Sequence, residues 1–260
     1  MLKIENVQIA GWGAAIRGMR NPKNSWERSD SGFGCETSDL HHCCVCEDGH
    51  TGSCPEAFTK YKIGPNDHNL MMNLAKGGPV HAKYRRMITV YLDITAPLYW
   101  WKEFDTYRVG TVANSCSTMH KIADKEFTLE DFSCEHLIDE YNVCDICTDD
   151  YDGPNNPKDM LKLIIDILNE ARQLYIETRY KPMKEEAKRA PLMKKYWWQM
   201  IQLLPSSYNQ KRTICLNYEV LHHIYHDRRN HKLDEWHTVC DWIESLPYSE
   251  IITQKVVGIE

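Results

Sequence analysis

Between Arg108 and Thr118 the chain reads RVGTVANSCST, which gathers one guanidinium, one amide and four hydroxyls. On a turn, such groups and the backbone N–H donors beside them can hold phosphate oxygens or the polar edge of a heterocycle. The same residue types also suit a Ser- and Asn-rich turn with no ligand. A second set lies downstream: Asn217, Leu221, Ile224 and Arg228 are spaced i, i+4, i+7 and i+11. On a continuous helix they share one face. A polar group on an inward face needs a partner. That partner is a ligand, or else Asn217 is a satisfied core amide and Arg228 a solvated helix end.

The eleven cysteines offer another chemistry. Cys43-x-x-Cys46, with His50 and Cys54 nearby, and Cys144-x-x-Cys147 are two thiolate pairs that could complete one tetrahedral zinc site. Their wide separation equally allows separate sites, the first with His50 and Cys54, or buried inert thiols. A redox pair would lack the β-α context of thioredoxin-like motifs. Cys134, Cys215 and Cys240 are expected in the core, the last two on amphipathic helices.

Elements must position these groups. LKIENVQIAG reads as a strand and AAIRGMR as a turn or short helix. Residues 21–65 are rich in Asn, Ser, Gly, Asp and Cys and carry little periodicity. Residues 66–86 are helical in pattern, interrupted at Gly77, Gly78 and Pro79. MITVYLDIT is β-branched and aromatic, hence a strand. Pro97 suits the first turn of an aromatic helix running to about Tyr107, a buried platform leading into the hydroxyl-rich turn. Residues 148–157 form a loop, followed by helices over roughly 158–178, 184–203, 207–229 and 232–245. Trp197, Trp198, Trp236 and Trp242 fall beside apolar residues and read as core. The fold class is α+β, helix-rich, with few strands.

Bulk properties set limits. The 260 residues are 42% hydrophobic and 26% charged, with a net charge of -6. Nothing in that balance favours nucleic acid or an acidic membrane surface. No apolar run reaches the ~18 residues of a membrane span. The opening MLKIENVQIAGWG lacks the apolar core of a signal peptide. Many cysteines without such a signal imply a reducing compartment, and so a cytoplasmic protein.

Several of these segments, taken in order, resemble the flavin-dependent thymidylate synthases. That family's signature, R-H-R-x-x-S-x-N-E-x-S-x-R-Y, follows a helix that often starts with Ala-Pro. Here APLYWWKEFDTYR ends in Arg108, at the signature's third position. Thr111 stands where the family has Ser. After one extra residue Asn114 matches Asn, Ser115 replaces Glu and Ser117 matches the second Ser. His81 lies at the spacing of the family's flavin-contacting His. LLP at 203–205, Asn217 and Arg228 recur in the family's order, and Arg17 of AAIRGMR resembles its N-terminal A-A-R motif.

The resemblance implies a single domain over 1–260 with a small, mostly antiparallel sheet. An irregular Cys-rich insertion falls at about 21–65 and a helical one at about 121–195. It implies one-carbon transfer to a pyrimidine nucleotide such as dUMP, with FAD as cofactor, methylenetetrahydrofolate as carbon donor and NADPH as reductant. It also implies a homotetramer. His81, Arg108, Asn217, His223 and Arg228 would contact the flavin, although His223 lies off the Asn217/Arg228 face. Glu103, Asn114, Ser115 and Ser117 would contact substrate. Arg228 and Ser117 would carry catalysis, Arg228 by stabilising charge on the pyrimidine oxygens. His81, Arg108, Ser117, Asn217 and Arg228 would then converge on one pocket.

The departures fall mainly on the substrate side. Thr106 and Tyr107 replace the signature's first Arg and its His. Met119 and His120 replace its last Arg and Tyr. Glu103 stands for a substrate-contacting Gln, and Ile201 for an Arg. This pattern fits an altered substrate, hydroxymethyl in place of methyl transfer, or a phosphate site rebuilt with Lys121, Lys211 or Arg212. It fits equally a non-catalytic nucleotide- or zinc-binding protein on the same scaffold.

Overall fold

The computed structural model describes residues 2–34, 60–139 and 156–254. In chain order its elements are β1 (Lys3–Ala10), α1 (Trp12–Arg20), β2 (Gly32–Gly34), β3 (Lys60–Lys62), α2 (Pro65–Lys76), β4 (Thr89–Pro97), α3 (Leu98–Phe104), β5 (Val112–Ser115), α4 (Thr118–Lys121), α5 (Pro157–Tyr180), α6 (Arg189–Leu203), β6 (Asn209–Asn217), α7 (Tyr218–Arg228), α8 (Asp234–Glu244) and α9 (Glu250–Thr253). Strands β1, β4, β6 and β5 form one sheet in the order β1-β4-β6-β5. β2 and β3 form a separate two-stranded antiparallel sheet, with Phe33 opposite Tyr61. The expected class holds: a helix-rich α+β fold with a small antiparallel sheet. Among the described residues no helix is long and apolar enough to cross a membrane.

The chain divides into two compact units. The first comprises Met1–Ile4, Asp93–Thr106 and Asn114–Thr213. Its helical part is built on α5, which Asn156 caps by accepting the Asp159 N–H at 2.8 Å, with Pro157 in the first turn. Leu161, Ile165 and Leu168 repeat at helical spacing and bury against Phe127, Phe132 and Met200. The aromatic helix is the buried platform expected: Trp100, Trp101 and Phe104 are all buried, and the Trp100 and Phe104 rings stack at 5.2 Å. Pro97 gives α3 no side-chain cap, so the Leu98 and Tyr99 N–H groups donate instead to the carbonyls of Tyr208 and Ser206, each at 3.0 Å. Trp198 corrects the sequence reading, since it is 40% exposed rather than core.

The second unit comprises Glu5–Leu92, Tyr107–Ala113 and Ile214–Glu260. Ala15, Ile16, Tyr84, Leu221, Ile224, Trp236 and Ile251 are among its buried residues. A polar clasp closes one side. Fully buried Asp67 accepts from Arg20 Nε at 2.6 Å, Ser29 Oγ at 2.7 Å and Ser31 Oγ at 2.6 Å. Burial alone would raise the Asp67 carboxyl, but these donors outweigh it and hold the group below its ordinary range.

The largest correction falls on 207–229, expected as one helix. Residues Asn209–Asn217 are a strand, and only Tyr218–Arg228 are helical. Ile214 and Leu216 are buried with exposed or half-buried neighbours, a period of two. Cys215 therefore lies on a strand and is only half-buried, whereas Cys240 is buried on α8 as expected.

Candidate functional site

Asn217 ends β6 and caps α7. Its φ of -135° and ψ of 169° are extended, and its Oδ1 accepts the N–H groups of Glu219 and Val220, both at 3.1 Å. It is therefore not the first member of a helical stripe with Arg228, as its spacing suggested. With Oδ1 spent on the cap, its Nδ2 faces the hydroxyl-rich turn. Gly110 sits there at φ +80°, and a Cβ built on it would lie 2.9 Å from Asn217 Nδ2. One residue on, Thr111 Oγ1 is buried with no hydrogen-bond partner among the described residues. A buried hydroxyl with no partner is costly. A ligand carrying a donor or acceptor at this turn would relieve it, so the residues present fit a polar cofactor edge. Arg108, in the same turn, is exposed.

Arg228, the last residue of α7, is held by two aromatic rings. Its Nε donates to Tyr107 Oη at 3.0 Å, and its guanidinium lies 4.9 Å from the Trp236 ring centre and 5.6 Å from that of Tyr107. Tyr107 Oη in turn donates to Asp227 Oδ2 at 3.3 Å. Burial raises the Tyr107 phenol above its ordinary value against the pull of Arg228, so it keeps the proton it donates. The sequence reading treated Tyr107 only as a lost family His and Trp236 only as core. The signal it lacked was the placement of Tyr107 and α8 beside the end of α7.

Beneath α7 lies a buried ion pair. Arg85 Nε is 2.7 Å from Glu219 Oε2, with both residues almost fully buried. The contact is ionic without an aligned hydrogen bond, because neither Glu219 oxygen nor Arg85 Nε meets the geometry of one. His223 Nε2 stands 3.6 Å from the other Glu219 oxygen, with its side chain 54% exposed. On the adjoining face His222 Nδ1 donates to the Ile252 carbonyl at 2.6 Å. Burial, with smaller contributions from Arg85 and His226, lowers the His222 imidazole to about 4 despite that hydrogen bond. His81 is exposed, its ring over Gly77.

Glu103, Asn114, Ser115 and Ser117 belong to the first unit. Asn114 and Ser115 are exposed on β5. Ser117 caps α4 by accepting the His120 N–H at 3.1 Å, which leaves its hydroxyl proton to donate elsewhere. Ser117 also lines a cavity of about 620 Å3 with Lys3, Lys121, Lys125 and Lys211. Two carboxylates, Glu130 and Asp131, face the same space, and Asp131 pairs with Lys125. Of the three cations considered as replacements, Lys121 and Lys211 thus share a cavity with Ser117. Arg212 instead packs 4.2 Å over the Trp101 ring and donates to Asp105 at 2.7 Å. Ile201 packs against the α5 core, and Met119 is exposed with its carbonyl accepting from Trp197 Nε1.

The sequence-selected residues thus fall in two sets. His81, Arg108, Asn217, His223 and Arg228 are in the second unit, and the substrate-side residues in the first. Within the second unit the structure joins the Asn217 amide to the turn that carries Arg108. A larger cavity among the described residues, about 1250 Å3, is lined by Trp12, Phe33, Tyr61, Trp242 and Tyr248 among others, and by none of the selected residues. Cys43, Cys46, Cys144 and Cys147 lie outside the described residues. Among the described residues no cluster of His, Cys, Asp and Glu could hold a metal ion.

No family model and no curated protein sequence matches the chain. Solved structures do. Thymidylate synthase X (ThyX) from Helicobacter pylori, with FAD and dUMP, aligns over 98% of both chains at a TM-score of 0.54 and 14% identity. A second structure of the flavin-dependent Helicobacter pylori enzyme, complexed with FAD and dUMP, aligns over 97% of this chain and 98% of that one at 0.55 and 14%. The UMP/dUMP methylase PolB from Streptomyces cacaoi, bound with 5-Br dUMP, aligns over 98% and 95% at 0.52 and 14%. The chain therefore carries the fold of the flavin-dependent thymidylate synthases.

Proposed function

We propose that this chain is a divergent flavin-dependent one-carbon transferase acting on a pyrimidine deoxynucleotide such as dUMP. The observation that carries the reading is the fold itself, shared nearly end to end with enzymes whose structures hold FAD, dUMP or a brominated dUMP. Three local features of the second unit support a flavin-side site there. Asn217 fixes the start of α7, Gly110 lets the turn reach it, and Thr111 presents an unsatisfied hydroxyl.

The roles proposed here come from the family resemblance, with the local geometry as support. FAD, when bound, supplies the redox chemistry, and the protein supplies binding and electrostatics. His81, Arg108, Asn217 and His223 are the residues proposed to hold it. Arg228 presents a guanidinium to the pyrimidine edge, where it stabilises negative charge developing on a ring oxygen. Ser117 donates its hydroxyl to the substrate phosphate. Lys121 and Lys211 supply the charge that Met119 and Ile201 no longer provide. The ion pair of Lys121 with Asp124 is exposed and worth little, so it yields readily to a phosphate. Glu103, Asn114 and Ser115 complete the substrate side. Methylenetetrahydrofolate and NADPH are the proposed co-substrates, and a single domain with two insertions is the proposed organisation. A homo-oligomer is proposed too: Met160, Leu163, Ile167 and Leu174 form an exposed apolar stripe along one face of α5.

The test begins with the visible spectrum of the purified protein, where flavin bands are expected. Incubation with dUMP, methylenetetrahydrofolate and NADPH should then add one carbon to the nucleotide by mass. Bound flavin with no mass change on dUMP or dCMP would leave the second reading, a non-catalytic nucleotide-binding protein on this scaffold. The replacements at Thr106, Met119 and Ile201 favour that alternative.

A further inference from the structure

The inward face of α5 outruns the core it packs on. Leu161, Ile165, Leu168, Arg172, Tyr175 and Arg179 are spaced i, i+4, i+7, i+11, i+14 and i+18, so one stripe runs along most of the helix. Its first three residues are buried in the core. Arg172 is satisfied, since its Nε donates to the Ala123 carbonyl at 3.0 Å. Tyr175 and Arg179 instead line a cavity of about 640 Å3, together with Ile122, Ile176 and Trp197. Ile122 is buried there, and Tyr175 and Trp197 are half-buried. The Trp197 indole is preset, because its Nε1 donates to the Met119 carbonyl at 2.9 Å. Among the described residues its ring makes no contact with that of Tyr175. The Arg179 guanidinium lies 5.4 Å from the Tyr180 ring centre and makes no hydrogen bond or ion pair among the described residues. One carboxylate, Asp124, lines the same space, but Lys121 pairs with it at 2.8 Å.

We propose that this cavity binds a nucleoside monophosphate, with its base against the Tyr175 and Trp197 rings and its phosphate on Arg179. The volume is that of a small-molecule site. Aromatic rings suit a flat base, and an uncompensated guanidinium suits a phosphate, which it can meet with two parallel hydrogen bonds. Four residues of helix set Tyr175 and Arg179 about 6 Å apart along the axis, so ring and charge suit one molecule with a short spacer between them. A ribose is such a spacer. A purely apolar occupant would leave Arg179 unmet, and a free phosphate would leave the rings uncovered. The cavity shares only Ile122 with that of Ser117, so this second nucleotide site is separate from the proposed substrate side.

The test uses the full-length protein in saturating FAD and dUMP, so that any flavin and substrate positions are filled. AMP, GMP, CMP and UMP are then titrated in calorimetrically, each beside its own nucleoside. At least one nucleotide should bind, with its nucleoside about tenfold weaker for want of the charged contact. Arg179→Gln, at an exposed position, should lower that nucleotide's affinity about tenfold and leave the nucleoside unchanged, a split that a loosened fold would not produce. Trp197→Leu should weaken both about tenfold through lost stacking. The proposal is overturned if none of the four nucleotides binds, if nucleotide and nucleoside bind alike, or if Arg179→Gln binds as the wild type does. It is overturned too if Arg179→Gln changes only the oligomeric state, which would assign the cavity to a second copy of the chain. A protein that takes up neither FAD nor dUMP fails the functional reading alone, and the titration still decides this site.

Discussion

The side-chain amide of Asn217 occupies the space that any side chain at position 110 would need, since a Cβ on Gly110 would sit 2.9 Å from Asn217 Nδ2 and 3.2 Å from Val220 Cγ2. The φ of +80° at Gly110 adds a second requirement for glycine. Gly110→Ala should therefore cost about 1–2 kcal/mol from the left-handed backbone alone, plus the displacement of Asn217. Chemical denaturation measures the first. Retained flavin absorbance in a folded variant would show that the turn and the cap are not coupled.

Asn217 has one oxygen on the cap and one nitrogen toward the turn, so two substitutions separate its roles. Asn217→Asp keeps the capping oxygen and should change stability little while weakening flavin binding. Asn217→Ala should lose both, with about 1 kcal/mol of stability gone with the cap. Melting curves and flavin titration together read the split, and identical flavin affinity in the Asp variant and the wild type would sink the second role.

The Arg85–Glu219 pair is buried and poorly hydrogen-bonded, the condition in which removing one partner is worst. Glu219→Gln leaves an uncompensated buried guanidinium and should cost about 3–5 kcal/mol. The double variant Arg85→Met, Glu219→Leu should recover most of that. Urea midpoints decide it; a double variant as unstable as the single one would show that the charges themselves are required.

His222 gives the fold a pH dependence of definite sign. Its folded value is lowered from the ordinary 6.5 to about 4. Between those values the unfolded chain binds a proton that the folded chain refuses. Stability therefore falls as pH falls through that window, with a slope approaching ~1.4 kcal/mol per pH unit from this residue. Arg85, His226 and Glu219 are the charged or titratable groups acting on it. His222→Asn retains a donor for the Ile252 carbonyl and should flatten the slope in denaturation experiments between pH 4 and 6.5. An unchanged slope would assign the dependence to another group.

The sequence was most legible where one pattern ran without competition. The β-branched run before Pro97, the aromatic helix after it and the long periodic α5 all appear close to their expected bounds. Residues 209–217 were misread because Leu221, Ile224 and Arg228 do have helical spacing, and Asn217 continues it by coincidence. The competing signal was local: apolar Ile214 and Leu216 stand two apart beside β-branched Thr213, and Asn is a preferred helix cap. At the candidate site, spacing singled out Asn217 and Arg228, although for Asn217 the helical register was accidental and its place is the strand-to-helix junction. The clamp around Arg228 was not, because Tyr107 and Trp236 come from distant segments that no periodicity links. Nor could residue types show that Ile201 had joined the core or that Arg212 was committed to Trp101 and Asp105.

Strand β6 passes into helix α7 with no intervening loop, Asn217 being the final residue of one and the cap of the other. The junction has no slack in which to absorb a change of length. Adding or deleting one residue between Leu216 and Tyr218 would turn every later α7 side chain by about 100° about the helix axis, carrying Arg228 off its aromatic cradle. Homologous chains with working sites should therefore vary in length in the hairpins and helical insertions, and keep the count from the Ile214 β-position to Arg228 invariant.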